Sequence, residues 1–129
     1  MDTRIKILNP EAAPRACTVV TGAFDVLLAE DARELAGIHA SHPGRPLLVV
    51  VLPLPGELLP RRARAELVAA LRVVDYVVTA PDATTAAAPY AATDALLAGL
   101  EPAQLVRLEA AQAIRKRQLM EHAHRRQTS

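Results

Sequence analysis

A β-branched run, Thr18, Val19, Val20 and Thr21, stops at Gly22, and Ala32, Leu35, Ala36 and Ile38 then recur at helical spacing. This predicts strand, loop and helix, the helix running from about Glu30 to Ala40 before Ser41, Pro43, Gly44 and Pro46 end it. Leu47 to Leu52 reads L-L-V-V-V-L with no polar alternation, the pattern of a strand covered on both faces, as in a parallel sheet. After Pro53, Pro55 and Gly56, a second helix is predicted from near Pro60 to Val74. Leu67, Val68 and Leu71 fall on one face, and Arg61, Arg62, Arg64 and Arg72 fall mostly away from it. Asp75 to Thr79 is the third strand. Ala80 to Pro89 has no apolar period and reads as a loop, Tyr90 to Leu100 as a short helix, and Leu105 to Leu108 as a fourth strand. From Glu109 to about Arg126 the chain is helix-like. Ile114, Leu119, Met120 and Ala123 make no clean stripe, which predicts a helix only partly buried or covering a partner subunit. Residues 1–16, with the alternation Ile5-Lys6-Ile7 and then Asn9-Pro10 and Pro14, predict a peripheral arm.

Strands alternating with helices predict an α/β fold with a mostly parallel sheet. At 129 residues, about half of them apolar (51%), the chain fits one domain over residues 1–129 with a terminal helix over 110–126. Its 15 basic and 14 acidic residues leave a net charge of +1, so no global charge points to nucleic acid, a membrane or strongly acidic partners. Arg115, Lys116, Arg117, Arg125 and Arg126 cluster late in the sequence without aromatics for base stacking, which reads as a solvated helix face. The single Cys17 precludes an internal disulfide and, beside a strand, reads as a small buried apolar residue in a reducing compartment. No secretory pattern opens the sequence and no apolar run nears the ~18 residues of a membrane span, so a cytoplasmic protein is expected.

Function has to come from a site. Open α/β sheets bind ligands where a strand passes into a helix, with loop N–H groups and the helix start suited to phosphate. Here that crevice would be lined by Gly22, Ala23, Phe24, Asp25, Leu28, Glu30 and Asp31. Glu30 and Asp31 at a helix start gain roughly 0.3 to 1 kcal/mol each from the macrodipole and would occupy the niche an anion needs. No nucleophile with its base, no Cys/His metal set and no glycine cluster accompanies them. His122 and His124 alternate on a helix and point apart, and His39 and His42 alone make no site.

The segment Gly22-Ala23-Phe24-Asp25-Val26-Leu27 resembles the opening of the nucleotidylyltransferase signature G-C-F-D-x-L-H-x-G-H, closest to the cytidylyltransferase-like and heptose-phosphate adenylyltransferase group. A second segment, Pro60 to Val78, is similar to the family's P-x-x-x-R-x-x-x-L-x-A-L-x-x-V-D-Y-V-V, with Arg64 on the arginine, Leu71 on the last helix leucine and Asp75-Tyr76 opening the strand. The resemblance implies a three-layer α/β/α Rossmann-like sandwich with strand order 3-2-1-4, and it places Arg64 where such a fold could contact a ligand.

The catalytic part of the signature is replaced. Leu28-Ala29-Glu30-Asp31 stands in the H-x-G-H positions, where the family's imidazoles hold phosphates; leucine cannot donate a hydrogen bond, and glutamate removes the close backbone approach that glycine allows. The substrate-side loop is a short, proline-stiffened, lysine-free link from Leu52 to Leu59, and Leu108-Glu109 stands where the family has glycines facing the nucleotide. These departures point to a pseudoenzyme with no catalytic residues and no cofactor, acting as a binding or assembly module, as a homodimer or beside an active enzyme. One alternative is a divergent transferase acting on a phosphorylated small molecule, with Asp25, Glu30 and Asp31 holding Mg²⁺ and a nucleoside triphosphate. The other is a small-molecule sensor.

Overall fold

The computed structural model describes residues 2–54, 56–79 and 91–128, so the loop expected over Ala80 to Pro89, Tyr90 at the expected start of the third helix, and Pro55 of the link lie outside the described residues. The elements are β1 (Ile7–Leu8), β2 (Thr18–Gly22), α1 (Ala29–Ser41), β3 (Leu47–Val51), α2 (Arg61–Ala69), β4 (Tyr76–Thr79), α3 (Ala91–Ala98), β5 (Leu105–Arg107) and α4 (Glu109–Thr128). Among the described residues the fold is thus α/β, with five strands in one all-parallel sheet and four α-helices.

The strand order is β1-β4-β3-β2-β5, which differs from the expected 3-2-1-4 of a four-stranded sheet. The difference comes from the segment read as a peripheral arm. Ile7 and Leu8 pair with Val77 and Val78 and add an edge strand beside β4, while Lys6 Nζ donates to Leu71 O at 3.1 Å. A two-residue strand carries too few positions to show a period, so its partner decides its conformation.

β2 and β3 are buried at every residue, as an unbroken apolar run in a doubly covered sheet requires. Alternate side chains divide between two cores. Val20, Leu47, Val49, Val51 and Val77 pack with Leu35 of α1 and with Ala65, Val68 and Ala69 of α2. On the opposite face Cys17, Val19, Leu48, Val50 and Val78 pack with Leu96 and Leu97 of α3. Cys17 is fully buried, and burial pushes its thiol above the ordinary range.

The expected faces of α2 need correction. Its buried residues are Arg64, Ala65, Val68 and Ala69, whereas Leu67 is 42% exposed. The helix is shorter than predicted and ends at Ala69. Its two core-facing alanines, Ala65 and Ala69, let it approach the sheet closely, and Arg64 lies on that face because strand-end carbonyls there need a donor.

Candidate functional site

The C-terminal end of β2 meets three other segments: the start of α1, the link between β3 and α2, and the first turns of α4. Their polar groups are joined by Asp25 just beyond β2, Asp31 of α1, Arg64 of α2, and Gln112, Arg115 and Lys116 of α4. Arg64 is completely buried and donates through Nε to Leu59 O at 3.1 Å and through Nη1 to Ala23 O at 2.8 Å and Leu52 O at 2.9 Å. Its Nη2 meets Glu57. This planar cation ties the ends of β2 and β3 to the link, and it is committed to the backbone rather than presented to a crevice.

Gln112 performs the second closure. Its Oε1 accepts from the N–H groups of Ala23 at 2.7 Å and Phe24 at 3.1 Å, the two loop donors that follow β2. Gly22 makes this possible. A Cβ there would come within 2.6 Å of Phe24 Cε2 and 2.8 Å of Gln112 Oε1, so glycine leaves the space the carboxamide fills. Phe24 sits at φ 50°, in the left-handed region that non-glycine residues seldom occupy, and its buried ring and the Gln112 bond hold it there.

Asp25 is the third junction. Its side chain is fully buried and accepts from Leu58 N–H at 2.7 Å, Leu59 N–H at 2.9 Å and Lys116 Nζ at 3.0 Å. Burial alone would raise its pKa; the hydrogen bonds from Leu58, Lys116 and Leu59, with the charge of Lys116, outweigh that and hold it below the ordinary 3.8. Asp31, 2% exposed, reaches back from the first turn of α1 to the Leu28 N–H at 2.9 Å and takes Arg115 Nη2 at 3.0 Å. Arg115 also meets Glu34 and, at 3.7 Å, Glu30. The hydrogen bond donated to Glu34, with the charges of Glu34, Asp31 and Glu30, raises the guanidinium pKa against the opposing effect of burial. Glu109 Oε2 accepts from Thr21 Oγ1 at 2.6 Å.

These bonds leave a cleft of about 360 Å³ beside the β2 end. Of the residues expected to line it, Ala23, Asp25, Leu28 and Asp31 do so; Gly22 and Phe24 lie behind it, Glu30 is exposed at the helix start, and Arg64 is inside the protein. The Asp25 carboxylate is taken by Lys116 while Glu30 and Asp31 share Arg115, and among the described residues no group of three His, Cys, Asp or Glu side chains is arranged to hold a metal ion. The other walls come from the link (Leu54, Leu58), from Val26 and from α4 (Gln112, Ala113, Lys116, Arg117, Leu119, Met120). The sequence pattern predicts a solvated face for the cations of α4, yet Arg115 and Lys116 are cross-links to residues far away in the chain. The one available signal was the missing stripe: α4 is seated by polar contacts as much as by apolar ones.

Searches against protein families and against curated proteins return no match to this chain. Among the described residues no helix is long and apolar enough to cross a membrane.

Proposed function

We propose that this chain is a nucleotidylyltransferase-like domain, its sheet flanked by helical layers in a three-layer sandwich, that has given up phosphoryl transfer and acts as a binding or assembly module, as a homodimer or beside an active enzyme. One observation carries the reading: the Ala23 and Phe24 N–H groups, the donors a phosphate would need at the mouth of β2, both donate to Gln112 Oε1. The neighbouring cations support it. Lys116 is held by Asp25, Arg115 by three acids, and Arg64 by backbone carbonyls. A triphosphate entering this crevice would have to break these bonds, each left unmade at a desolvation cost of about 1–3 kcal/mol.

Thermal unfolding in millimolar CTP or ATP with Mg²⁺ tests the proposal. A nucleotide at a hundred times its Kd would stabilise the native state by about 2.7 kcal/mol. The expected result is no shift, and a saturable rise in Tm overturns the reading. The cleft favours a second reading, that of a small-molecule sensor, since its aliphatic walls and size suit a compact ligand better than a polyphosphate.

A further inference from the structure

Four of the seven exposed large hydrophobic side chains among the described residues gather in one place. Val26, Leu58, Leu119 and Met120 are 37%, 55%, 49% and 52% exposed, and all four line the cleft at the β2 end. Aliphatic groups gathered around a concavity mark a surface meant to be covered. The charges along the same walls are almost entirely consumed. Asp25 is paired with Lys116, Asp31 with Arg115, and Glu109 with Thr21 and, at 3.4 Å, Arg107. Arg117 is the exception: it lines the cleft and, among the described residues, forms no hydrogen bond or ion pair. Gln112 also lines the cleft, but its Oε1 is spent on Ala23 and Phe24 and its Nε2 is enclosed against Gly22.

Resting on the reading of this chain as a binding module, we infer that the cleft takes a small amphipathic monocarboxylate. The aliphatic body lies against Leu28, Leu54, Leu58 and Met120. The carboxylate supplies the single negative charge that Arg117 lacks. A neutral isostere offers no charge to Arg117, a cationic one is repelled by it, and a polyphosphate carries more charge than Arg117, the one unpaired cation among the described residues of the cleft, can balance. Methionine at the rim adapts to chains of different shape.

Isothermal titration of the protein with octanoate, octan-1-ol, octylammonium and Mg²⁺-CTP decides the matter. Octanoate binds one to one, octan-1-ol more weakly, and octylammonium not at all. Arg117→Gln weakens octanoate by about fivefold, as losing one exposed charge contact does, and leaves octan-1-ol unchanged. Leu58→Asp removes the binding of both, with the Tm of each variant confirming that it is folded. Equal affinity for octanoate and octan-1-ol overturns the assignment, as does an unchanged octanoate affinity in Arg117→Gln. A dimer by sedimentation that Met120→Asp dissociates, in protein that takes up no octanoate, also overturns it and gives the cleft to a second copy. If neither octanoate nor CTP binds, the ligand assignment falls and the binding-module reading stands; saturable CTP binding overturns the module reading itself.

Discussion

Lys116 on α4 reaches Asp25 behind β2 at 3.0 Å across 91 positions of sequence, and the same carboxylate holds the N–H groups of Leu58 and Leu59. One buried acid therefore fastens three segments. α4 carries no apolar stripe, and the described residues of the link from β3 to α2 form no helix or strand. Asp25 fixes both walls of the cleft between them, together with the bonds of Arg64 and Gln112.

Asp25→Asn keeps the shape of the side chain but loses the charge that Lys116 needs and one acceptor oxygen. Urea denaturation at pH 7 should show a loss of about 2–4 kcal/mol, in the range for breaking a buried ion pair. The pH dependence has a definite sign. Because the folded pKa lies below the ordinary 3.8, the unfolded chain binds the proton more readily. The stabilisation is complete above the ordinary value and is lost as pH falls towards the folded one. The gap between wild type and Asp25→Asn should therefore close below about pH 4, and a gap independent of pH would show that Asp25 contributes nothing through its charge.

Arg64 makes a separate prediction, since its side chain is completely buried and serves the carbonyls of Ala23, Leu52 and Leu59. Arg64→Leu fills much of the volume but leaves three carbonyls and Glu57 without their donor, at a cost of about 3–5 kcal/mol. Arg64→Lys retains the charge but not the planar fork, and it should lose a smaller share, about 1–2 kcal/mol. Equal losses would show that only the charge matters.

The contrast between these residues explains how much of the molecule was legible. Strands β2 and β3 announce themselves because burial on both faces demands Val, Leu and Thr at every position. Helix α1 shows the same legibility through Leu35 and Ile38, which pack into the core. β1 is hidden because two residues have no period, and Arg64 because helical spacing assigns a face by hydrophobicity alone. An arginine drawn inward by carbonyls breaks that assignment, and Leu67 is left outside in its place. At the site, Leu28, Asp25 and Asp31 were visible from the strand-to-helix junction. Gln112, Arg115 and Lys116 were not, since polar contacts between distant segments leave no local pattern.

Gly22→Ala and Gly37→Ala should move stability in opposite directions. A Cβ at Gly22 would lie 2.6 Å from the Phe24 ring and 2.8 Å from Gln112 Oε1, so the carboxamide is displaced and overpacking adds about 1–3 kcal/mol of destabilisation. A Cβ at Gly37, exposed within α1, meets nothing within 4 Å, and alanine there should add about 0.5–1 kcal/mol of stability through the lower entropy of the unfolded chain. Thermal unfolding of the two variants checks both signs. A neutral Gly22→Ala would mean that Gln112 does not need its place against β2.

The acids of the first two turns of α1 supply the last test. Glu30, Asp31 and Glu34 stand on one side of the helix, and Arg115 meets all three while its own side chain is only 17% exposed. Arg115→Met preserves the packing of the stem but leaves three carboxylates facing one another, with Asp31 still buried. In dilute buffer the variant should be about 1–3 kcal/mol less stable than wild type, a loss set by repulsion and by the unpaired charge of Asp31. Salt separates these two contributions. At 1 M NaCl the screening length falls to about 3 Å, so repulsion among the exposed acids fades while the buried Asp31 is hardly affected. The deficit should shrink but not vanish. Adding Asp31→Asn to Arg115→Met should then recover part of the remaining deficit, and a double variant no more stable than Arg115→Met would show that Asp31 does not need its cation.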